Sequence, residues 1–550
     1  MGAQGLGSSF DSVFAAFAAT ARAHPGNAFL CVPPLPHRDY HPGGFEIGYG
    51  QALGQIEALA HSYAQAGYGP GHRVALMLDN RPGHLLHLLA LNGLGVSIVP
   101  VNPDYLHHEL LYLLDHSEAD LAVVLAKHAP RMEKAAAERA KPLPVAVADT
   151  GFSDIPTALS PKRSGSDHGS GNRATEAGIL YTSGTTGRPK GCLLDNEYFL
   201  NSGQWYAEIG GAVTLTHGRE RVLNPLPLFH MNAGIILPAA LILTANCLIV
   251  PDRFHPSTWW QDLIATRATA FHYLGIVPPI LMKQPAALHD RQHTVRWGIG
   301  AGIEPELHRA FEERFGVTLV EVWGMTETGR VFVDAFEPRQ ITTRAFGRPT
   351  PVLQARVVDE HDNVVATGSP GELLVRASGD NPRHGFFRGY LKDEAATRMA
   401  WQGGWFHTGD VVTQSPDGML YFVERKKNII RRSGENISAA EVENGLIGHA
   451  AVLRVAVLSV ADELRDEEVM AAIVLAEGFQ SSRDNAISIV DAAREKLSYF
   501  KLPGWVVFVE ALPTTGTQKV QKGLIFAKDT DPRAHPHAFD LRSLKVRAKT

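Results

Sequence analysis

The stretch Tyr181-Thr182-Ser183-Gly184-Thr185-Thr186-Gly187-Arg188-Pro189-Lys190-Gly191 decides how the rest of the chain is read. Five of its first six residues carry a hydroxyl group, and three glycines and two cations complete it. Glycine allows folded-back backbone that other residues resist. Hydroxyls and freed backbone N–H groups can then line an anion, and Lys190 adds a point charge suited to phosphate. The apolar run Ala177-Gly178-Ile179-Leu180 in front of it reads as a strand. The physical reading is a loop that wraps the phosphates of a nucleotide; a Gly/Thr surface turn is the plain alternative. A Walker A loop is excluded, because that pattern needs glycine where Pro189 stands, and here Gly191 follows the lysine.

Composition narrows the classes. At 550 residues, 45% hydrophobic and 20% charged, the chain is an ordinary globular protein long enough for two or more domains. A net charge of -5 implies no basic face, so nucleic acid is not an expected partner. Cys31, Cys192 and Cys247 lie far apart, form neither a disulfide framework nor a zinc pattern, and suit a reducing, cytoplasmic setting. Met1 to Phe10 lacks the basic and apolar regions of a signal peptide. Ala233 to Val250 is nearly all apolar, but Thr244, Asn246 and Cys247 interrupt it. It reads as a buried helix followed by a buried strand, with no membrane span expected.

The pattern alternates from Val74 onward. Strand-like runs at Val74–Leu78, Ser97–Val101 and Leu121–Leu125 are separated by helical spacing at His84–Leu94 and His107–Leu114. Such alternation implies parallel sheet with crossover helices. Ser160 to Arg173 is polar, rich in glycine and serine, and reads as a mobile surface loop. A second α/β series follows, with strands near Arg221, Ala268 and Val317. Short alternating strands from Ala355 to Phe422 read as a twisted β subdomain. The predicted fold is therefore α/β: a large N-terminal domain of doubly wound α/β subdomains plus the β subdomain, residues 1–425. A small, mobile α+β C-terminal domain, residues 426–550, completes it.

Four further stretches carry chemistry. Trp323-Gly324-Met325-Thr326-Glu327-Thr328 sets a carboxylate after a buried strand, a place where a hard cation binds, although a surface turn would look alike. Thr408-Gly409-Asp410 offers a carboxylate that can accept from both ribose hydroxyls. Gly298-Ile299-Gly300-Ala301-Gly302 fails the dinucleotide fingerprint, which needs glycine where Ile303 stands. Pro513-Thr514-Thr515-Gly516-Thr517-Gln518-Lys519 puts a lysine after a glycine- and threonine-rich turn. Arg330 could meet a second carboxylate or sit on the surface, and the surface is the reading taken.

Taken in order, these motifs resemble those of the adenylate-forming superfamily, over roughly Ala52 to Leu524. The acyl-CoA synthetase branch is the nearest, and bacterial carnitine/crotonobetaine-type CoA ligases look most similar. The resemblance implies that Thr182, Ser183, Gly184, Thr185, Thr186 and Lys190 hold phosphate. It implies Glu327 on Mg²⁺, Thr326 on the α-phosphate, and Gly300, Ala301, Gly302, Trp323, Gly324 and Met325 around adenine and acyl group. Asp410 and Arg425 would hold ribose, and His230 would stand at the mouth of the acyl pocket. Peptide-synthetase domains of the superfamily instead place an aspartate there for the substrate's ammonium, and its absence here argues against an amino-acid substrate. Lys519 would be the catalytic lysine, Lys427 the hinge, and Gly434 part of the pantetheine tunnel. Gln518 and Glu424 depart from the usual glycines.

The implied enzyme is an AMP-forming ligase that takes ATP, Mg²⁺ and a small carboxylic acid to an acyl-adenylate, then uses coenzyme A to form a thioester. Transfer to a carrier-protein thiol, a luciferase-like oxygenase and a non-catalytic nucleotide-binding protein are the other readings. A homodimer is left open.

Overall fold

The computed structural model describes residues 7, 9–148, 156–159, 171–182, 189–432, 435–463, 466–497, 499–514, 520–528 and 530–545. Ser183, Gly184, Thr185, Thr186, Gly434, Lys519 and most of the stretch read as a mobile loop lie outside them. The chain divides into two compact units. One is Met1–Ala355 with Val375–Phe406; the other is Arg356–Leu374 with His407–Thr550.

The first unit holds two large sheets. One has the order Phe332–Val333, Thr318–Trp323, Trp297–Ala301, Ala270–Leu274, Arg221–Leu223, Cys247–Ile249, Ala28–Val32, Phe45–Gly48. Its six inner strands are parallel and its two edges antiparallel. The other has the order Gly389–Tyr390, Lys190–Asp195, Glu176–Thr182, Ser97–Pro100, Arg73–Met77, Leu121–Val124, Val145–Val147. Runs such as Val74-Ala75-Leu76-Met77 are buried on both faces, as crossover helices on each side of a parallel sheet require. The helix Asn196–Ala207 starts where the Asp195 carboxylate accepts the Tyr198 N–H at 2.8 Å. It lies against Leu237–Leu243, and Gly203 makes this approach possible, since a Cβ there would sit 2.6 Å from that of Ala239. The apolar run from Ala233 begins with a π-helical turn, Asn232–Ile236, continues as the α-helix Leu237–Leu243 and ends in the buried strand Cys247–Ile249.

In the second unit, Asp410–Gln414 pairs antiparallel with Leu420–Arg425. A further sheet has the order Glu435–Ser438, Ile429–Arg432, Asp466–Leu475, Trp505–Phe508, Ala538–Asp540, with Val452–Asp462 also pairing Asp466–Leu475. Helices Ala439–Leu446 and Arg483–Ala492 cover it through Val442, Leu446, Ile489 and Val490.

Candidate active site

The strands Arg221–Leu223, Ala270–Leu274, Trp297–Ala301 and Thr318–Trp323 are consecutive and parallel, so their C-terminal ends share one edge. Open α/β sheets bind ligands outside that edge. Three segments holding residues named from the sequence emerge there: Pro227–Asn232, which carries His230, then Gly300–Gly302 and Trp323–Glu327.

Most of the glycine cluster is strand. Gly298 and Gly300 are strand residues, and the reason is steric: a Cβ on Gly298 would lie 2.5 Å from the Phe271 ring, and one on Gly300 2.3 Å from the Tyr273 carbonyl oxygen. Only Gly302, with φ +89°, is in the left-handed region. Glu321 fixes the turn that follows. Its carboxylate accepts the N–H groups of Gly302 at 2.8 Å and Ile303 at 3.2 Å, and the Tyr273 hydroxyl at 2.7 Å. Burial pushes the Glu321 carboxyl up to about 7, against these hydrogen bonds, which favour its charge.

At the next strand end, Trp323 is buried and stacks on Phe332 at 5.6 Å. Gly324 is required small, since a Cβ would meet Val331 at 2.0 Å. The Thr328 hydroxyl closes the turn on the Met325 carbonyl at 3.0 Å, and the Tyr198 hydroxyl holds the Thr326 carbonyl at 2.7 Å. Glu327 is 5% exposed. Tyr390 donates its hydroxyl to Glu327 Oε1 at 2.9 Å, and Phe387 N–H reaches the Glu327 carbonyl at 3.0 Å.

The same Tyr390 ring lies 4.8 Å from Lys190 Nζ. Lys190 arrives there because Lys190–Asp195 pairs antiparallel with Glu176–Thr182, Thr182 facing Lys190, and on its other side with Gly389–Tyr390. The hydroxyl-rich stretch thus has its two described ends together, and its lysine is joined to the carboxylate through one aromatic ring. Tyr390 escaped the sequence reading; nothing in its neighbourhood announces a partner 200 residues away. The donor set at Glu327, a carboxylate amid hydroxyl groups, fits a hard cation held largely by substrate phosphates. Among the described residues, no group of three or more His, Cys, Asp and Glu side chains is placed to hold a metal ion.

The His230 ring lies tilted beside Phe229, centroids 4.5 Å apart, and burial lowers it to about 4, so the ring is neutral near pH 7. Asn80 anchors the segment before it, accepting the Leu228 N–H at 2.9 Å and donating to the Leu226 carbonyl at 3.0 Å. Arg330 is not on the surface: it is 5% exposed, its guanidinium reaching the carbonyls of His384 and Val352. Those backbone oxygens replace the solvent that the sequence reading assumed.

In the second unit, Asp410 is 1% exposed and faces Arg425 across the strand pair, with the Arg425 guanidinium 2.6 Å away. Glu424, the residue that departs from the family's glycine, accepts the Ala440 N–H at 2.7 Å at the start of Ala439–Leu446. It also accepts from Asn428 Nδ2 at 3.2 Å. The carboxylate thereby joins segments on either side of Lys427.

Comparison with known proteins identifies the family. The AMP-binding enzyme family model matches residues 17–391, and the AMP-binding enzyme C-terminal domain model matches residues 441–519. The chain belongs to the AMP-binding enzyme family. Among relatives of this AMP-binding enzyme is the sulfoacetate–CoA ligase of Cupriavidus necator, 29% identical over 524 residues, covering 93% of this chain and 97% of the relative. Another is the crotonobetaine/carnitine–CoA ligase of Proteus mirabilis, 28% identical over 489 residues, covering 87% and 92%. ATP-bound MatB from Rhodopseudomonas palustris superposes with a TM-score of 0.76 at 22% identity, covering 94% of this chain and 98% of that one. The o-succinylbenzoate CoA synthetase of Bacillus subtilis, bound to its acyl-adenylate, gives 0.75 at 20% identity, covering 94% and 98%. These two likenesses establish the adenylating-enzyme fold.

Proposed function

We propose that this AMP-binding enzyme is an ATP-dependent acid–CoA ligase. It joins a small carboxylic acid to coenzyme A with release of AMP and pyrophosphate. The observation that carries the proposal is the chain Lys190–Tyr390–Glu327, which sets a cation and a buried carboxylate at the foot of the hydroxyl-rich stretch.

In the first half-reaction a carboxylate oxygen attacks the α-phosphorus of ATP, and pyrophosphate leaves. Two anions must meet. Thr182, Ser183, Gly184, Thr185, Thr186 and Lys190 hold the leaving phosphates, and Thr326 orients the α-phosphate. Glu327 would hold Mg²⁺, typical of the family, which supplies charge neutralisation on the phosphates. Gly300–Gly302, Trp323, Gly324 and Met325 pack against adenine and acyl group, His230 flanks the acid, and Asp410 with Arg425 binds ribose. Lys519 stabilises charge between the reacting oxygens.

In the second half-reaction the coenzyme A thiol attacks the acyl carbon and AMP departs. The thiol needs the space that Lys519 held. A division into residues 1–425 and 426–550, hinged at Lys427, lets the smaller part withdraw Lys519 and present Gly434. Cytoplasmic residence and a homodimeric assembly complete the proposal; sedimentation would check the second. Among the described residues no helix is long and apolar enough to cross a membrane.

Carboxylate-dependent exchange of labelled pyrophosphate into ATP tests the first half-reaction. Thioester formation with free coenzyme A, against the same acid offered to a carrier-protein thiol, tests the acceptor. Absence of exchange with every acid would sink the proposal.

A further inference from the structure

Behind His230 runs a line of buried polar side chains that the reaction above does not use. His272 lies on Ala270–Leu274, between the strands that carry the His230 segment and the glycine cluster, and is 3% exposed. Its Nε2 is 2.7 Å from the Tyr206 hydroxyl and its Nδ1 2.8 Å from Asn232 Oδ1. Asn232 Oδ1 also accepts from Asn224 Nδ2 at 2.9 Å.

One backbone amide sets every orientation in this line. The Leu226 N–H can only donate, and it donates to Asn224 Oδ1 at 3.0 Å. Asn224 must then turn its NH₂ toward Asn232, so Asn232 must turn its oxygen inward. An inward oxygen requires the proton of the neutral His272 ring on Nδ1. Nε2 is left as acceptor for the Tyr206 hydroxyl. Burial lowers His272 to about 3, so the ring keeps this single proton at neutral pH.

The consequence falls on the far end of Asn232. Its NH₂ faces away from the line with both N–H groups, and no described residue accepts from it. Asn232 is partly exposed, stands two residues after His230 and opens the π-helical turn Asn232–Ile236. Such turns recur at functional sites because they set side chains off the α-helical register.

We infer that Asn232 is a specificity-determining residue: its amide N–H groups bind an oxygen acceptor on the acid substrate, remote from the reacting carboxylate. The favoured substrates are short acids carrying a second carboxylate, a sulfonate or a carbonyl, rather than plain alkyl acids. This deepens the ligase reading and rests on it. Tyr206, His272 and Asn224 are positioning residues that hold the donors in place without touching substrate. A donor pair fixed beforehand discriminates more sharply than a mobile one, because an alkyl group leaves it unpaired.

Pyrophosphate exchange with paired acids tests the inference: succinate against pentanoate, malonate against butanoate, and 4-oxopentanoate against 4-methylpentanoate. The acceptor-bearing member should be favoured about tenfold or more in kcat/KM. Asn232→Leu should erase that preference, lowering the rate with the acceptor-bearing acid about tenfold more than with its alkyl partner. Asn232→Asp keeps the inward oxygen and the shape but replaces the donors by an acceptor. It should turn the preference toward 4-aminobutanoate. Equal losses on both members of each pair, or an unchanged preference in both variants, overturns the assignment. Exchange without preference in the unaltered enzyme overturns it while leaving the ligase reading intact. Exchange with no acid defeats that reading, and this inference with it.

Discussion

Replacing Tyr390 by phenylalanine isolates the contact that joins Lys190, at the end of the hydroxyl-rich stretch, to the carboxylate. The ring stays, so the stacking with Lys190 at 4.8 Å stays with it. Only the hydroxyl that donates to Glu327 Oε1 at 2.9 Å is removed. A hydrogen bond to a charged acceptor is worth about 1.5–3 kcal/mol. At about 1.4 kcal/mol per factor of ten, the full value corresponds to roughly 10- to 150-fold. Tyr390 is partly exposed, and water replaces some of the lost interaction, so the lower end applies. We expect adenylation to fall about tenfold. The loss should appear chiefly as a higher magnesium requirement, because Glu327 would lose the donor that holds it in one rotamer. Initial rates of pyrophosphate exchange, measured across a magnesium series at saturating ATP, read both quantities. Tyr390→Leu should add a rise in the KM for ATP, since Lys190 then loses its ring. If Tyr390→Phe matches the unaltered enzyme in rate and in half-saturating magnesium, Glu327 is not organised through Tyr390 and the argument fails.

Lys519→Ala should cut adenylation by about 10²-fold, as loss of a preorganised charge stabiliser does, and spare thioester formation from supplied acyl-adenylate; equal loss in both half-reactions would refute the role. Glu321 makes a pH prediction. Its carboxyl is raised from 4.5 to about 7, so its contribution to stability is fully present below pH 4.5 and is lost as pH climbs through 7. The melting temperature of the unaltered enzyme should therefore decline against that of Glu321→Gln across this window, and a constant difference would contradict it. In the second unit, Glu468 is fully buried against Arg432 at 2.8 Å and Lys545 at 2.5 Å. Glu468→Ala strands two cations and should destabilise that unit by about 3–5 kcal/mol, measured by urea unfolding; a change below about 1 kcal/mol would show that the pair is already solvated.

What the sequence disclosed and what it hid divide along physical lines. Alternating apolar runs marked the parallel strands because period and burial are local properties. Thr326, Glu327 and Asp410 could be singled out because a motif holds them within a few residues, and their roles remain proposals. Tyr390 was not, because its meaning comes from a strand pairing between residues 192 and 390. Arg330 was misjudged for a related reason: its acceptors are backbone carbonyls at 352 and 384, which leave no compositional trace. The glycines at 298 and 300 gave no sign of a strand, because their small size is demanded by the neighbouring Phe271 and Tyr273, which lie far away in sequence. His272 and Asn232 gave no signal in the sequence, because only their hydrogen bonds set them in one line.

The short strand Gly389–Tyr390 has a bearing on how this protein can be cut. It caps the open side of Lys190–Asp195, with Arg388 N–H and Leu391 N–H bonded to the Leu193 and Gly191 carbonyls, both at 2.8 Å. A recombinant fragment that stops short of Gly389 would bare a row of backbone donors and acceptors on a hydrophobic strand, a template for self-association. One that runs past Leu391 keeps that border sealed, so the shortest soluble piece able to retain nucleotide ends beyond that residue.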